Sequence, residues 1–161
     1  IKTANLVAQA IAPIGFLLCV LSLLTGSIWA KPTWGTFWVW DARLTSMLIL
    51  AFLYAGVMAL FAAFEHTPNR GKAAAILSIV GAVNLPIIKY SVNWWNTFHQ
   101  GTTLTITEAP KMSIDMLAPL LLMILGTYFM VGALAIYRTN TLILRRDQNK
   151  AWVKEYVRTS K

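Results

Sequence analysis

The sequence predicts an all-α integral membrane protein, a bundle of four transmembrane helices in a single domain, 1–161. Three observations carry that prediction. Hydrophobic residues make up 57% of the chain, charged residues only 12%, and the mean hydropathy is +0.59. In soluble domains about a quarter of residues are charged. Four long apolar runs, at about 4–29, 44–64, 73–92 and 115–137, each reach the roughly 20 residues a helix needs to cross a hydrocarbon core of ~30 Å. None of these runs alternates with the period of a barrel strand.

The first run is too long for a secretory signal and lacks a cleavage site. The chain opens on Ile1 rather than Met, so upstream sequence is expected. Cys19, the one cysteine, sits in mid-run among apolar neighbours and reads as a small packing residue. The outer loop 30–43 follows, with the stretch WGTFWVWDAR. Thr33 after Pro32 is a candidate N-cap for a short interfacial helix over 33–43. That helix would place Trp34, Phe37, Trp38 and Asp41 on one face, at i, i+3, i+4 and i+7, with Trp40 and Arg43 towards the other side. Gly35 leaves a gap where a planar body could approach the backbone. Blander roles stand beside this one. Trp29 reads as an interface anchor. Asp41 either pairs with Arg43, caps the helix beginning near Leu44, or serves a ligand. Arg43 suits a lipid phosphate or an anionic carboxylate equally, through its fork of donors.

The third run carries Pro86, predicted to kink it near its exit, and Asn84, a polar group at membrane depth that should face the bundle interior. Lys89 reads as a snorkelling side chain. In NWWNTFHQG, Trp95 and His99 lie four apart and are expected on one helical face, with Gly101 ending the helix. A Thr-rich stretch completes the outer loop 93–114, and a basic tail, 138–161, follows the fourth run.

Charge gives the orientation. If all four runs span, one side holds ten basic residues, among them Arg70, Lys72, Arg138, Arg145, Arg146, Lys150, Lys154 and Arg158. The other side holds four: Lys31, Arg43, Lys89 and Lys111. The basic side is therefore expected to be cytoplasmic, or matrix-facing in an organelle. Its tail would meet anionic lipid or a soluble partner; a juxtamembrane tail of this kind is no nucleic-acid reader. Of the seven tryptophans, six fall on the outer side, leaving Trp152 in the tail. An anchoring belt decorates both interfaces, so this asymmetry favours a ligand surface.

His99 shares the outer side with that surface, whereas His66, in FEHTPNR, falls on the basic side and reads as a solvated loop residue. Imidazole is a common ligand of haem iron. A flat aromatic surface with cations able to hold propionates makes His99 the candidate metal ligand, against the plainer role of an interfacial hydrogen-bonder. Arg43 and Trp95 join it as candidate haem contacts. The chain has no Walker-type run, no nucleophile–base pair and no paired carboxylates at useful spacing. The residues alone also leave open a membrane scaffold or permease-like subunit that binds no haem.

GSIWAKPTWGTFWVWDARLTS, followed by VNLPIIKYSVNWWNTFHQG, resembles the CcmC family of haem-handling proteins of cytochrome c maturation. It carries the tryptophan-rich WWD signature shared with CcmF and CcsA, and its ending WDARLTS points to CcmC. The resemblance implies a family of six spanning helices, two of them upstream of this chain. It implies haem b on the outer face, against a platform of Trp34, Phe37, Trp38, Trp40 and Asp41, with His99 as an axial iron ligand. A second axial histidine comes, in the family, from an outer loop before the first helix seen here, and this chain has none there. Phe37 stands where Trp is usual. The implied role is presentation of haem b to the membrane-anchored chaperone CcmE, which becomes covalently joined to it. The ABC-type subunits CcmA and CcmB, with the small membrane subunit CcmD, then release the loaded chaperone. This is handling rather than enzymatic turnover, although it promotes bond formation. The expected location is the bacterial inner membrane with the site facing the periplasm; a mitochondrial inner membrane is also compatible.

Overall fold

Small residues decide how closely the spans pack. A computed structural model describes residues 2–64, 70–95, 97–101, 103–104 and 109–159. Five helices follow one another there: α1 (Lys2–Trp34), α2 (Ala42–Ala63), α3 (Arg70–Trp94), α4 (Ile114–Arg146) and α5 (Ala151–Thr159). The first four are long and apolar enough to cross a membrane, so the chain is a multi-pass membrane protein. α2 packs against both α1 and α3, and α1 also packs against α4.

Where α1 meets α2, Gly15 lies under the Tyr54 ring; a Cβ there would stand 2.5 Å from its Cζ. Where α2 meets α3, a Cβ on Gly56 would come within 2.9 Å of Leu77 Cδ2. Close backbone approach of this sort is how helices associate in lipid, where no hydrophobic force distinguishes neighbour from solvent. The buried core formed by Ala12, Val57, Phe61 and Ala74, flanked by Tyr54, Met58 and Leu77, is correspondingly small. Large apolar side chains such as Leu122, Phe129 and Ile79 point outward, as lipid permits. α4 buries no residue at all within the described bundle.

One buried polar contact ties α3 to α2. Asn84 Nδ2 donates to the Ser46 carbonyl at 2.7 Å, and both residues are buried. The expected inward-facing asparagine is thus observed. Pro86 lies inside α3, and helix continues on both sides of it.

The interfacial helix expected over 33–43 does not form. α1 instead runs on through Pro32 and Thr33 to Trp34, and Thr33 Oγ1 donates back to the Trp29 carbonyl at 2.6 Å rather than capping a new helix. Gly35, at φ 78°, then turns the chain in the left-handed region that L side chains avoid, its N–H donating to Lys31 O at 3.0 Å. Residues 35–37 bend and 38–41 run without helix. The face on which Trp34, Phe37, Trp38 and Asp41 were expected to align is accordingly absent. The helical face expected for Trp95 and His99 is absent too, because α3 stops at Trp94. α4 extends nine residues past its expected end at 137, and part of the basic tail is the helix α5. His66 lies outside the described residues.

Candidate functional site

Asp41 is where the two outer loops meet. As N-cap of α2 its Oδ1 accepts the Leu44 N–H at 2.8 Å, satisfying one of the free donors of the first turn. Its second oxygen, Oδ2, faces the other loop. There it accepts from the Thr97 hydroxyl at 2.5 Å and pairs with His99 Nδ1 at 2.7 Å. Thr97 Oγ1 also stands 3.0 Å from His99 Nδ1 and accepts the His99 backbone N–H at 3.1 Å. The carboxylate, the hydroxyl and the imidazole thus form a closed triangle, with side-chain exposure of 5% at Asp41 and 17% at His99.

Two chemical consequences follow. Burial alone would raise the Asp41 carboxyl pKa. The hydrogen bonds from Thr97, from the Leu44 N–H and from His99 outweigh it and hold the group below its ordinary value. An ionised carboxylate can only accept, so Nδ1 of His99 carries the proton. In the neutral imidazole Nε2 is then the nitrogen with a free lone pair, the tautomer a metal ligand requires.

His99 lines a recess of about 510 Å³ together with Trp29, Trp34, Arg43, Leu44, Met47, Gly26 and Leu104. That volume lies within the usual range of small-molecule sites, roughly 300–1,000 Å³. Trp34 is the hub of its aromatic wall. Its ring stands edge-on to His99 at 4.7 Å between centroids, edge-on to Trp29 at 5.5 Å and tilted against Phe98 at 6.0 Å. Trp29, read from the sequence as an anchor, is part of this wall.

The remaining sequence candidates divide cleanly. Trp34, Arg43 and His99 line the recess, and Asp41 stands behind it, bonded to His99. Trp38 and Trp40 pack edge-on against each other at 5.4 Å, outside its lining. Phe37 is 56% and Trp40 75% exposed, and the Lys31 ammonium sits 5.2 Å above the Phe37 ring, a cation–π contact. Trp38 Nε1 is buried with no partner among the described residues. Trp95 stacks edge-on with Trp94 at 5.9 Å, also outside the recess. Thr97 went unnoticed in the sequence. Its signal is the spacing Thr-x-His, in which a hydroxyl can accept the N–H two residues on.

The family model described as "CcmC: Heme exporter protein C" matches residues 1–154. The chain belongs to that family. It is 50% identical over 161 residues to a "Heme exporter protein C" of Haemophilus influenzae, all of this chain and 65% of that protein. It is 49% identical over 158 residues to the Escherichia coli K12 protein of the same name, 97% of this chain and 62% of that one. A "putative cytochrome c biosynthesis ccmC-like mitochondrial protein" of Marchantia polymorpha is 43% identical over 140 residues, 87% of this chain and 58% of its own. The chain thus spans somewhat under two thirds of the heme exporter protein C relatives it matches.

Proposed function

We propose that this chain binds haem b in the recess beside His99 and presents it to the chaperone CcmE during cytochrome c biogenesis, within a complex of the ABC-type subunits CcmA and CcmB and the small subunit CcmD. The observation that carries this reading is the Asp41–Thr97–His99 triangle. It fixes the histidine tautomer and ring orientation in the way outer-shell carboxylates fix metal-bound imidazoles, and it does so at the edge of an aromatic recess.

The residues fit the group. His99 Nε2 would ligate the iron, Trp34 and Trp29 would supply apolar contact to the ring, and Arg43 would offer a cation to a propionate. Haem would be the cargo that becomes joined to the chaperone, and this chain would hold its iron and offer its ring an apolar wall. Phe37 and Trp40, both exposed, with the half-buried Trp38 between them, offer an apolar surface to the acceptor. The orientation is outward, with the recess in the periplasm or intermembrane space, since the basic end of the bundle is the inner one.

The test is an absorption spectrum of the full-length protein purified in detergent from haem-replete cells. A Soret band is expected, weakened or shifted in His99→Ala and reduced in intensity in Trp34→Ala. A colourless, folded wild type would favour the scaffold reading. Trp38→Ala with Trp40→Ala is expected to lower covalent loading of the chaperone while membrane insertion is unchanged.

A further inference from the structure

We propose that α5 and the last turns of α4 form a docking surface for anionic phospholipid, which holds the basic end of the bundle against the membrane. This surface lies at the opposite end of α4 from the outer loops and does not depend on the haem reading.

α4 has 33 residues, about 50 Å of helix at 1.5 Å per residue, well beyond a hydrocarbon core of ~30 Å. Its apolar run ends at Tyr137, so the turns from Arg138 to Arg146 stand in the headgroup layer and just beyond it. The chain then turns at Asp147. That carboxylate is buried and takes the Arg146 guanidinium at 2.9 and 3.1 Å and the Lys150 ammonium at 3.1 Å. Past this elbow comes α5. Trp152 and Tyr156 share a recess of about 240 Å³ with Asn140, Ile143 and Leu144, one to two turns before the end of α4.

The pattern of α5 supplies the rest. Val153 is buried, while Trp152 and Tyr156, four apart, are 46% and 57% exposed. Lys150, Lys154 and Arg158 follow one another at the same spacing and fall on the side of the helix opposite that aromatic pair. An aromatic face opposed by a lysine and arginine face suits a helix lying in the membrane interface, where Trp and Tyr prefer the headgroup level. From 138 to 159 the chain holds six basic residues and two acidic ones, and Asp147 is already neutralised by its own neighbours. An anionic leaflet complements this excess. A protein partner fits less well, since the centres of protein interfaces are depleted in lysine.

Hydrogen-exchange mass spectrometry of the full-length protein tests the proposal, in nanodiscs of phosphatidylcholine alone and of phosphatidylcholine with phosphatidylglycerol. Amides of 148–159 are expected to exchange several-fold more slowly in the anionic discs, with the difference lost at high salt. Lys154→Glu with Arg158→Glu should abolish it, at roughly fivefold per cation removed, while exchange in α1–α4 stays unchanged. Equal exchange of this segment in the two discs would overturn the proposal. So would a difference that persists in the double variant.

Discussion

Asp41 serves two elements with one carboxylate: Oδ1 caps α2 and Oδ2 holds the imidazole of the other loop. Because its pKa is lowered on folding, it contributes stability that is complete above the ordinary carboxylate value, about 4, and disappears as pH falls through its lower folded value. Thermal melts of wild type and Asp41→Asn should therefore differ at neutral pH and converge only in strong acid. Asn keeps an acceptor for the cap but offers a donor or a weaker acceptor to His99. Haem affinity should fall on the order of 10–100-fold, as for other outer-shell losses at metal sites. The electron paramagnetic resonance spectrum of the ferric form should shift as well. Thr97→Val should reproduce part of that spectral change and Thr97→Ser should restore it. An unaltered spectrum in Thr97→Val would remove the hydroxyl from the triangle.

Helices α1, α2 and α3 were legible as apolar runs because spanning length is set by the bilayer and written directly in composition. Their ends were less so. The aromatic stretch has helical spacing, yet Gly35 at positive φ ends α1 and the segment before Asp41 is left to the two loops. Periodicity cannot show this, because the competing force is the position of Asp41 against Thr97 and His99, 56 and 58 residues away. Of the packing between spans only the inward-facing Asn84 was legible in the sequence, although the consequences of the rest are testable too. Gly15→Val should push Tyr54 aside and cost about 1–3 kcal/mol, read as a lowered unfolding midpoint in detergent. Asn84→Leu removes the donor to Ser46 O and should cost ~0.5–2 kcal/mol, in the range of hydrogen bonds between membrane helices.

At the scale of the molecule, the basic tail and the aromatic recess sit at opposite ends of the bundle, since the recess is built where α1 ends and α2 begins and α5 follows the far end of α4. The charge bias predicts that the tail lies on the inner side. In a Cys19→Ser background, a membrane-impermeant thiol reagent added to sealed cells or spheroplasts should label Phe37→Cys, which is exposed, and leave Tyr156→Cys unlabelled until the membrane is opened. The reverse pattern would invert the topology and remove the outer-face reading. α4, with no buried residue, leaves a broad apolar side to lipid or to neighbouring helices.

Composition alone settled that this chain lives in a membrane, how many helices it sends across, and which end carries the positive charge, because the transfer of side chains into lipid depends on residue type and run length. The two motifs likewise marked the two loops that meet at Asp41 and His99. Only the folded chain decided which side chains act together. It set Trp34 against His99 while Trp38, Trp40 and Trp95 fell outside the recess, and it brought in Thr97. Those choices rest on hydrogen bonds of about 3 Å between residues far apart in the chain, a distance to which no local pattern is sensitive.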